Sequence, residues 1–368
     1  MDLILTVNPG TTTTRVGLFA PQGATVRSVH EETIEHDEAV MAGFASIASQ
    51  LEYRAACLQG FLEDRMAGGR LVAVAGRGGM LSPVPAGVIA VNPELVAFAL
   101  HTPRHHHASN LGAPLADAVA ARAGCPAYIV DPVSVDELPA VARISGCPEI
   151  ARFSFVHALN IRACGRRLAQ ELGRPFGELD AVVAHMGAGF SIAALKGGRI
   201  VDSTNRMENS PFTPERSGGL PPIPLIELCY SGKYEKADLM KRLYGQGGVF
   251  AYLGTKDIRK AEAMAAAGDA RAALVLDAMV YQTAKAIGAM AAVLDFRPAA
   301  IVLTGGIAQS ARISADLSAR CGALAPVRVY PGSDESRALA EGAARALCGA
   351  EPPMHWPVAP QAGAVPAW

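Results

Sequence analysis

Blocks of apolar and polar positions along the chain predict a mixed α/β protein. Residues 3–7 form an apolar run that breaks at Asn8-Pro9-Gly10, a strand entering a turn, and residues 15–19 return as a second strand. Phe44, Ile47 and Leu51, near helical spacing, predict a helix over about 38–66. A short β-rich run at 71–75 ends in Gly76-Arg77-Gly78-Gly79. A helix is expected at 110–123 and a strand at 127–130, closing at Asp131-Pro132. Further on, 155–172 reads as helix and 181–184 as a strand entering His185-Met186-Gly187-Ala188-Gly189. Residues 191–195 return, and Gly197-Gly198 turns the chain into a third strand at 199–201. An ordered Pro/Gly-rich loop is expected at 211–224, and helices at 225–294. A strand at 300–303 runs into Gly305-Gly306, a helix starts near Ser310, and 327–330 and 335–347 are the last strand and helix. The Pro- and Ala-rich stretch 352–368 predicts a poorly ordered tail.

Composition narrows the class. The chain has 368 residues, 50% hydrophobic and 18% charged, enough for two domains with large cores around a cleft. A formal net charge of −1 without a long basic block argues against DNA or an anionic membrane as partner. The first residues, MDLILTVNPG, lack a basic region and read as a strand, not a signal peptide. Residues 270–296 are strongly apolar but contain Arg271, Asp277 and Lys285, so they predict a buried helix rather than a membrane span. Seven scattered cysteines with no C-x-x-C pair predict reduced thiols in a cytoplasmic protein. His105, His106 and His107 are adjacent and cannot all face one metal from a regular helix or strand.

A repeated plan carries more information. LILTVNPGTTTTRVGLFA and AVVAHMGAGFSIAALKGGRIV each read as strand, glycine-containing turn, small residues and strand. Two such hairpins, far apart in the chain, predict two similar domains facing each other. With Thr304-Gly305-Gly306-Ile307 they give three glycine turns at strand ends, as a cleft for a polyphosphate nucleotide requires. Gly10 permits close approach of phosphate, the threonines add hydroxyls, and Arg15 adds charge. Threonines also simply suit strands, so this hairpin alone does not decide. G-x-x-x-x-G-K-[ST] is absent and Gly187-Ala188-Gly189 lacks a third glycine, which disfavours P-loop and dinucleotide-binding folds.

NPGTTTTR, HMGAGFS, PFTPERSGGLPP, GGVFAYLGTKDIR, LTGGIAQS and GSDESRALAEGAARAL resemble, in order, the motifs of the acetate and butyrate kinase family. The likeness runs from residue 1 to about 350. It implies an actin-like (ribonuclease H-like) fold, two α/β domains with mixed sheets flanking an ATP cleft. The implied boundaries are 1–132 plus 336–350 for the first domain, 133–335 for the second, and 351–368 for the tail. The implied reaction is butanoate + ATP = butanoyl phosphate + ADP, with Mg²⁺. Isobutyrate, propionate or acetate as acceptor, and a non-catalytic nucleotide-binding protein, are the alternatives. By the resemblance, Asn8, Gly10, Thr11, Thr13 and Arg15 bracket the transferred phosphoryl group. Arg77 and Arg216 hold the substrate carboxylate and phosphoryl oxygens, and Asp131 and Glu335 lie around magnesium. His157 and His185 lie near the cleft, with His107 as a third match. Gly187 and Gly189 form the second phosphate loop, and Asp257, Arg259, Gly305, Gly306 and Ile307 receive adenosine. A homodimer, or a multiple of one, is implied as well.

The chemistry agrees. A short-chain carboxylate, with a pKa of roughly 4 to 5, is ionised at neutral pH and needs no general base. It needs relief from anion–anion repulsion and in-line alignment, which arginines and Mg²⁺ supply. Out of context, Arg77 is equally a surface pair, His157 a core histidine and Asp131 a turn residue. Three departures stand out: Arg15 where the family has lysine, Thr11 and Thr13 where it has serines, and Ala188 where acetate kinases have asparagine. The small residue at 188 favours the longer-acid branch.

Overall fold

The structure is a computed structural model that describes residues 1–66, 68–102, 106–205 and 209–359. His105 and residues 360–368 of the expected tail lie outside the described residues.

The first half of the chain supplies β1 Asp2–Pro9, β2 Thr13–Gln22, β3 Thr25–Glu35, β4 Arg70–Arg77, β5 Val88–Ala90 and β6 Ala127–Val130. The rest supplies β7 Ala181–Met186, β8 Phe190–Lys196, β9 Arg199–Ser203, β10 Ile301–Gly305, β11 Val327–Pro331 and β12 Met354–His355. The first helices are α1 Glu38–Ala42, α2 Leu51–Arg65, α3 Pro93–His101, α4 Gly112–Ala123, α5 Ala140–Arg143 and α6 Ala158–Glu171. Then come α7 Pro222–Tyr230, α8 Lys236–Leu243, α9 Gly248–Leu253, α10 Ile258–Ala266 and α11 Ala270–Val293. The last two are α12 Ala311–Cys321 and α13 Glu335–Leu347.

The strands form a seven-stranded sheet, β12-β5-β6-β4-β1-β2-β3, and a five-stranded sheet, β11-β10-β7-β8-β9. Each is built on one plan. β1 pairs antiparallel with β2 and parallel with β4, while β7 pairs antiparallel with β8 and parallel with β10. β1 is buried along nearly its whole length because α13 packs on the sheet and α4 covers it as well. A strand covered on both faces reads as a continuous apolar run, which is why LILTV was legible. In the second half α11 turns Val275, Leu276, Met279, Val280, Ile287 and Met290 inward at helical spacing, toward β7 and β8.

Two expectations are corrected. The helix expected over 38–66 breaks into α1 and α2, because Gly43 ends α1 and the Ser46 and Ser49 side chains bond the intervening backbone. Residues 351–359 are not a loose tail. β12 pairs with β5, Trp356 packs on Phe98 at 5.1 Å, and Asn92 Nδ2 donates to the Trp356 carbonyl at 2.7 Å.

Candidate active site

The register of the first sheet places three polar residues side by side at one end. Asn8 pairs with Arg15 across β1 and β2, and β1 runs parallel to β4, which ends at Arg77. Residues paired across strands share a face. Glu335, the first residue of α13, reaches this end. Asn8 Nδ2 donates to Glu335 Oε2 at 2.7 Å, and Arg77 Nη1 donates to the same oxygen at 3.0 Å and to Asn8 Oδ1 at 3.3 Å. Arg15 is exposed beside them. In the turn between β1 and β2 the Gly10 N–H donates to the Thr13 carbonyl at 2.7 Å, and Thr11 is exposed at the tip.

The second sheet contributes the facing wall. His157 and His185 stack with ring centroids 4.0 Å apart. His157 Nδ1 meets Ser191 Oγ at 2.9 Å, and Asn160 Nδ2 donates to His185 Nδ1 at 2.8 Å, which leaves the His185 proton on Nε2. Burial pushes the His157 imidazole well below its ordinary range, with His185, Arg77 and Arg216 adding to the effect. Burial likewise brings His185 down to about 4, opposed by Glu335 and assisted by Arg77. Both rings are neutral at physiological pH.

Arg216 is set by its loop. Its N–H donates to Thr213 Oγ1 at 3.0 Å, and that hydroxyl donates to the Ala188 carbonyl at 2.7 Å, tying the arginine loop to the Gly187–Gly189 turn. Its guanidinium lies over the Tyr244 ring at 4.5 Å, and its Nε is buried without a hydrogen-bond partner. Gly189 is there for space, since an added Cβ would sit 2.3 Å from Arg216 Nη1.

Arg77, Arg216, His107 and His157 line a cavity of about 130 Å³ whose apolar wall includes Val133, Phe155, Val156 and Phe190. No Asp or Glu is among the described residues lining it. A larger cleft, about 620 Å³, is lined by Gly187, Ala188, Asp257, Arg259, Gly306 and Ile307 among others. Asp257 caps α10, and its hydrogen bond from Arg259 holds its carboxyl down to about 2. Gly305 adopts φ +88°, and a Cβ there would meet the Met186 carbonyl at 2.3 Å, so β10 approaches β7 only through glycine.

Residues 149–327 match the model of the acetokinase family. Over 354 residues the chain is 44% identical to the probable butyrate kinase 2 of Caldanaerobacter subterraneus subsp. tengcongensis, covering 96% of this chain and 99% of that protein. The chain belongs to the acetokinase family. Its fold is that of Porphyromonas gingivalis acetate kinase, with a TM-score of 0.74 at 19% identity over 92% of this chain and 98% of that one. A propionate kinase from Francisella tularensis subsp. tularensis SCHU S4 superposes with a TM-score of 0.72 at 17% identity, over 93% and 99% of the two chains.

Asp131, at the strand end beside Arg77, has partners of its own. Its backbone takes φ +39°, its Oδ1 accepts from the Gly87 N–H at 2.7 Å, and the same oxygen lies 2.9 Å from Arg162 Nε. The carboxylate is buried in that ion pair, while Asn8 and Arg77 donate to Glu335. Glu335 Oε1, by contrast, accepts no hydrogen bond from the described residues. Mg²⁺ commonly takes one or two carboxylates, waters and substrate phosphates, so Glu335 alone fits it. Among the described residues no group of three His, Cys, Asp or Glu forms a metal cage. Sequence reasoning missed Ser191, Thr213, Asn160 and Tyr244, which orient the named residues, and it missed Arg54. The first four lie within or beside quoted motifs or the His157 helix; Arg54 carries no local signal.

Proposed function

We propose that this acetokinase-family protein transfers the γ-phosphoryl group of ATP to a short-chain carboxylate, with butanoate as acceptor and Mg²⁺ as the metal. The observation that carries this reading is the small cavity where Arg77, Arg216 and neutral His157 meet an apolar wall. An aliphatic tail suits Val133, Val156 and Phe190, and its carboxylate suits the two guanidiniums. The buried Arg216 Nε without a partner is an N–H in want of an acceptor.

A carboxylate oxygen attacks phosphorus as the bond to the ADP oxygen breaks, and no proton need be removed. The cavity matches that demand, with no carboxylate base among the described residues lining it and a histidine whose depressed basicity suits hydrogen bonding over proton abstraction. Asn8, Arg15 and the Thr11–Thr13 turn would meet the phosphoryl group from one side, Arg77 and Arg216 from the acceptor side. Mg²⁺ supplies charge neutralisation on the phosphates, and Glu335 would hold it. The cleft lined by Gly187, Asp257, Arg259, Gly306 and Ile307 would take the nucleotide. Ala188 leaves room in the second loop and supports the longer-acid branch.

We infer that the protein works as a homo-oligomer in the cytoplasm. α7 has no buried residue, and its Ile223, Ile226 and Tyr230 are 70%, 56% and 88% exposed, an apolar face suited to a second copy. All seven cysteines are free, and among the described residues no helix is long and apolar enough to cross a membrane. Light scattering on the purified protein tests the assembly; a monomer at micromolar concentration refutes it.

The deciding experiment traps acyl phosphate with hydroxylamine in the presence of ATP and Mg²⁺, across acetate, propionate, butanoate, isobutanoate and valerate. Preference for butanoate, abolished in folded Arg216→Ala, is the expected result. Preference for acetate moves the protein to the sister branch. ATP binding without turnover on any acid overturns the enzyme reading.

A further inference from the structure

Behind the first phosphate turn lies a fully buried arginine, Arg54, with 0% of its surface exposed. It sits on the core-facing stripe of α2 with Leu58, Phe61 and Leu62, where an apolar side chain would be the ordinary choice. Every acceptor of its guanidinium is neutral. Nη2 donates to the Thr11 carbonyl at 2.9 Å, and Nη1 to the Thr13 carbonyl at 3.0 Å and Thr14 Oγ1 at 2.9 Å. Nε donates to Gln50 Oε1 at 3.1 Å, and Met41 Sδ lies 3.6 Å from Nη2. A buried cation without a carboxylate is costly, so its position calls for a compensating gain.

The gain lies in what these bonds do to the turn. In a trans peptide the N–H points opposite to the preceding carbonyl. Drawing the Thr11 carbonyl inward therefore turns the Thr12 N–H outward, and that N–H donates to no protein group among the described residues. The Thr12 carbonyl is also held, by the His36 N–H at 2.8 Å, and the Thr13 carbonyl by Gly10 as well as Arg54. Three successive carbonyls thus face the protein. The Thr14 hydroxyl accepts from Arg54 and donates to His36 Nε2 at 2.8 Å, a buried imidazole that burial and Arg54 hold neutral. Among the described residues no carboxylate pairs with Arg54 to balance the charge beneath the turn.

We propose that Arg54 is a positioning residue for phosphoryl transfer: it pins the carbonyls of Thr11 and Thr13 so that the turn holds its shape and offers the outward Thr12 amide and an unbalanced buried positive charge to the phosphate of the substrate. The proposal rests on the phosphotransfer reading above and extends it to a residue outside the quoted motifs. Arg54 touches no substrate; it acts through the turn.

The test compares wild type with Arg54→Lys and Arg54→Ala, each checked for folding by circular dichroism and thermal melting. Lysine keeps the charge but lacks the planar fork, so it cannot span Thr11, Thr13 and Thr14 together. Loss of one oriented donor set at a phosphate site predicts a fall in kcat/KM for ATP of about a hundredfold in Arg54→Ala and about tenfold in Arg54→Lys. KM for butanoate, bound by other residues, should stay within about twofold, and a few millimolar guanidinium should restore activity to Arg54→Ala but not to Arg54→Lys. If Arg54→Ala does not fold, the kinetic split in Arg54→Lys carries the test. A folded variant with unchanged kcat/KM for ATP, or a butanoate KM that rises in step with the loss, overturns the proposal. Should wild type form no acyl phosphate, the phosphotransfer reading falls, yet ATP binding by calorimetry on the same variants still decides Arg54. About tenfold weaker binding is then expected, and an unchanged Kd overturns the role.

Discussion

Gly189→Ala isolates the placement of Arg216 from its chemistry. The backbone at Gly189 is not in the left-handed region, so alanine is conformationally admissible there. What it meets is the guanidinium: an added Cβ lies 2.3 Å from Nη1, 2.6 Å from Cζ and 2.9 Å from Nη2. Ordinary contact begins near 3.4 Å, so the guanidinium must retreat by about 1 Å, the difference between 3.4 and 2.3. The Tyr244 ring stacked on it at 4.5 Å limits where it can go. A misplacement of that size costs up to about a hundredfold in rate, or about 2.7 kcal/mol of transition-state stabilisation. Stability should change by less than about 1 kcal/mol, because the displaced atoms end a flexible side chain.

Gly187→Ala is the comparison on the same turn, and because Gly187 lines the nucleotide cleft its loss should fall on KM for ATP rather than on kcat. Its Cβ would be 3.5 Å from His185 Nε2 and 3.7 Å from the Gly189 carbonyl, ordinary contacts on the same turn. The assay is hydroxylamine-trapped acyl phosphate, with kcat and KM for butanoate and ATP, alongside thermal melts of both variants. Activity in Gly189→Ala within about threefold of wild type would show that the Arg216 position does not govern transfer. Equal losses of kcat in both variants would show that turn flexibility, not the arginine, matters.

Three further outcomes are expected. Gly76→Ala should melt far below wild type or fail to fold, by more than about 2 kcal/mol, because its Cβ would sit 2.1 Å from the Gly112 carbonyl, where β4 meets α4. Asp131→Asn should lose about 3 kcal/mol of stability in urea titration by unpairing buried Arg162; unchanged stability with a raised Mg²⁺ requirement would instead make Asp131 a metal ligand. Stability should also fall on acidification. His185 is held at about 4 against an ordinary 6.5, so the unfolded chain binds more protons between those values. Its contribution, at most about 3 kcal/mol, is complete above 6.5 and lost as pH falls toward 4. Denaturant midpoints from pH 7 to 4.5 check this, and a His185→Asn slope equal to wild type would refute the assignment.

Legibility in the sequence followed burial. β1, β7 and β10 are covered on both faces, so each is an apolar run stopped by a turn, and those runs were readable. β3 was missed because it is an edge strand whose EETIE segment is largely exposed and charged. β12 was missed because Met354 and Trp356 gain their apolar partners from β5 and α3, far back in the chain. The same contrast divides the site. Asn8, Arg77, His157 and Arg216 are marked by motifs, but only strand register and the reach of α13 bring Asn8, Arg77 and Glu335 to one oxygen. The packing of Asp131 was not legible, since a strand-ending Asp shows in sequence neither its positive φ nor its contacts to Gly87 and Arg162.

Arg54 shows a deeper limit. An arginine on a helix is read as solvated, and nothing nearby in α2 distinguishes it from Arg65 at the helix end. Its counterpart in the second half is not an arginine at all. There the Thr213 hydroxyl donates to the Ala188 carbonyl and holds the second turn from its arginine loop. The two hairpins repeat a backbone plan, and each has a side chain from a distant segment fixing a turn carbonyl. Only the backbone plan leaves a repeated pattern in the sequence. The distant side chains were free to differ, because any donor that fixes the carbonyl also fixes the direction of the following amide. For a reaction that needs positioning and charge rather than a base, such supports bear on catalysis as directly as the residues that face the phosphate.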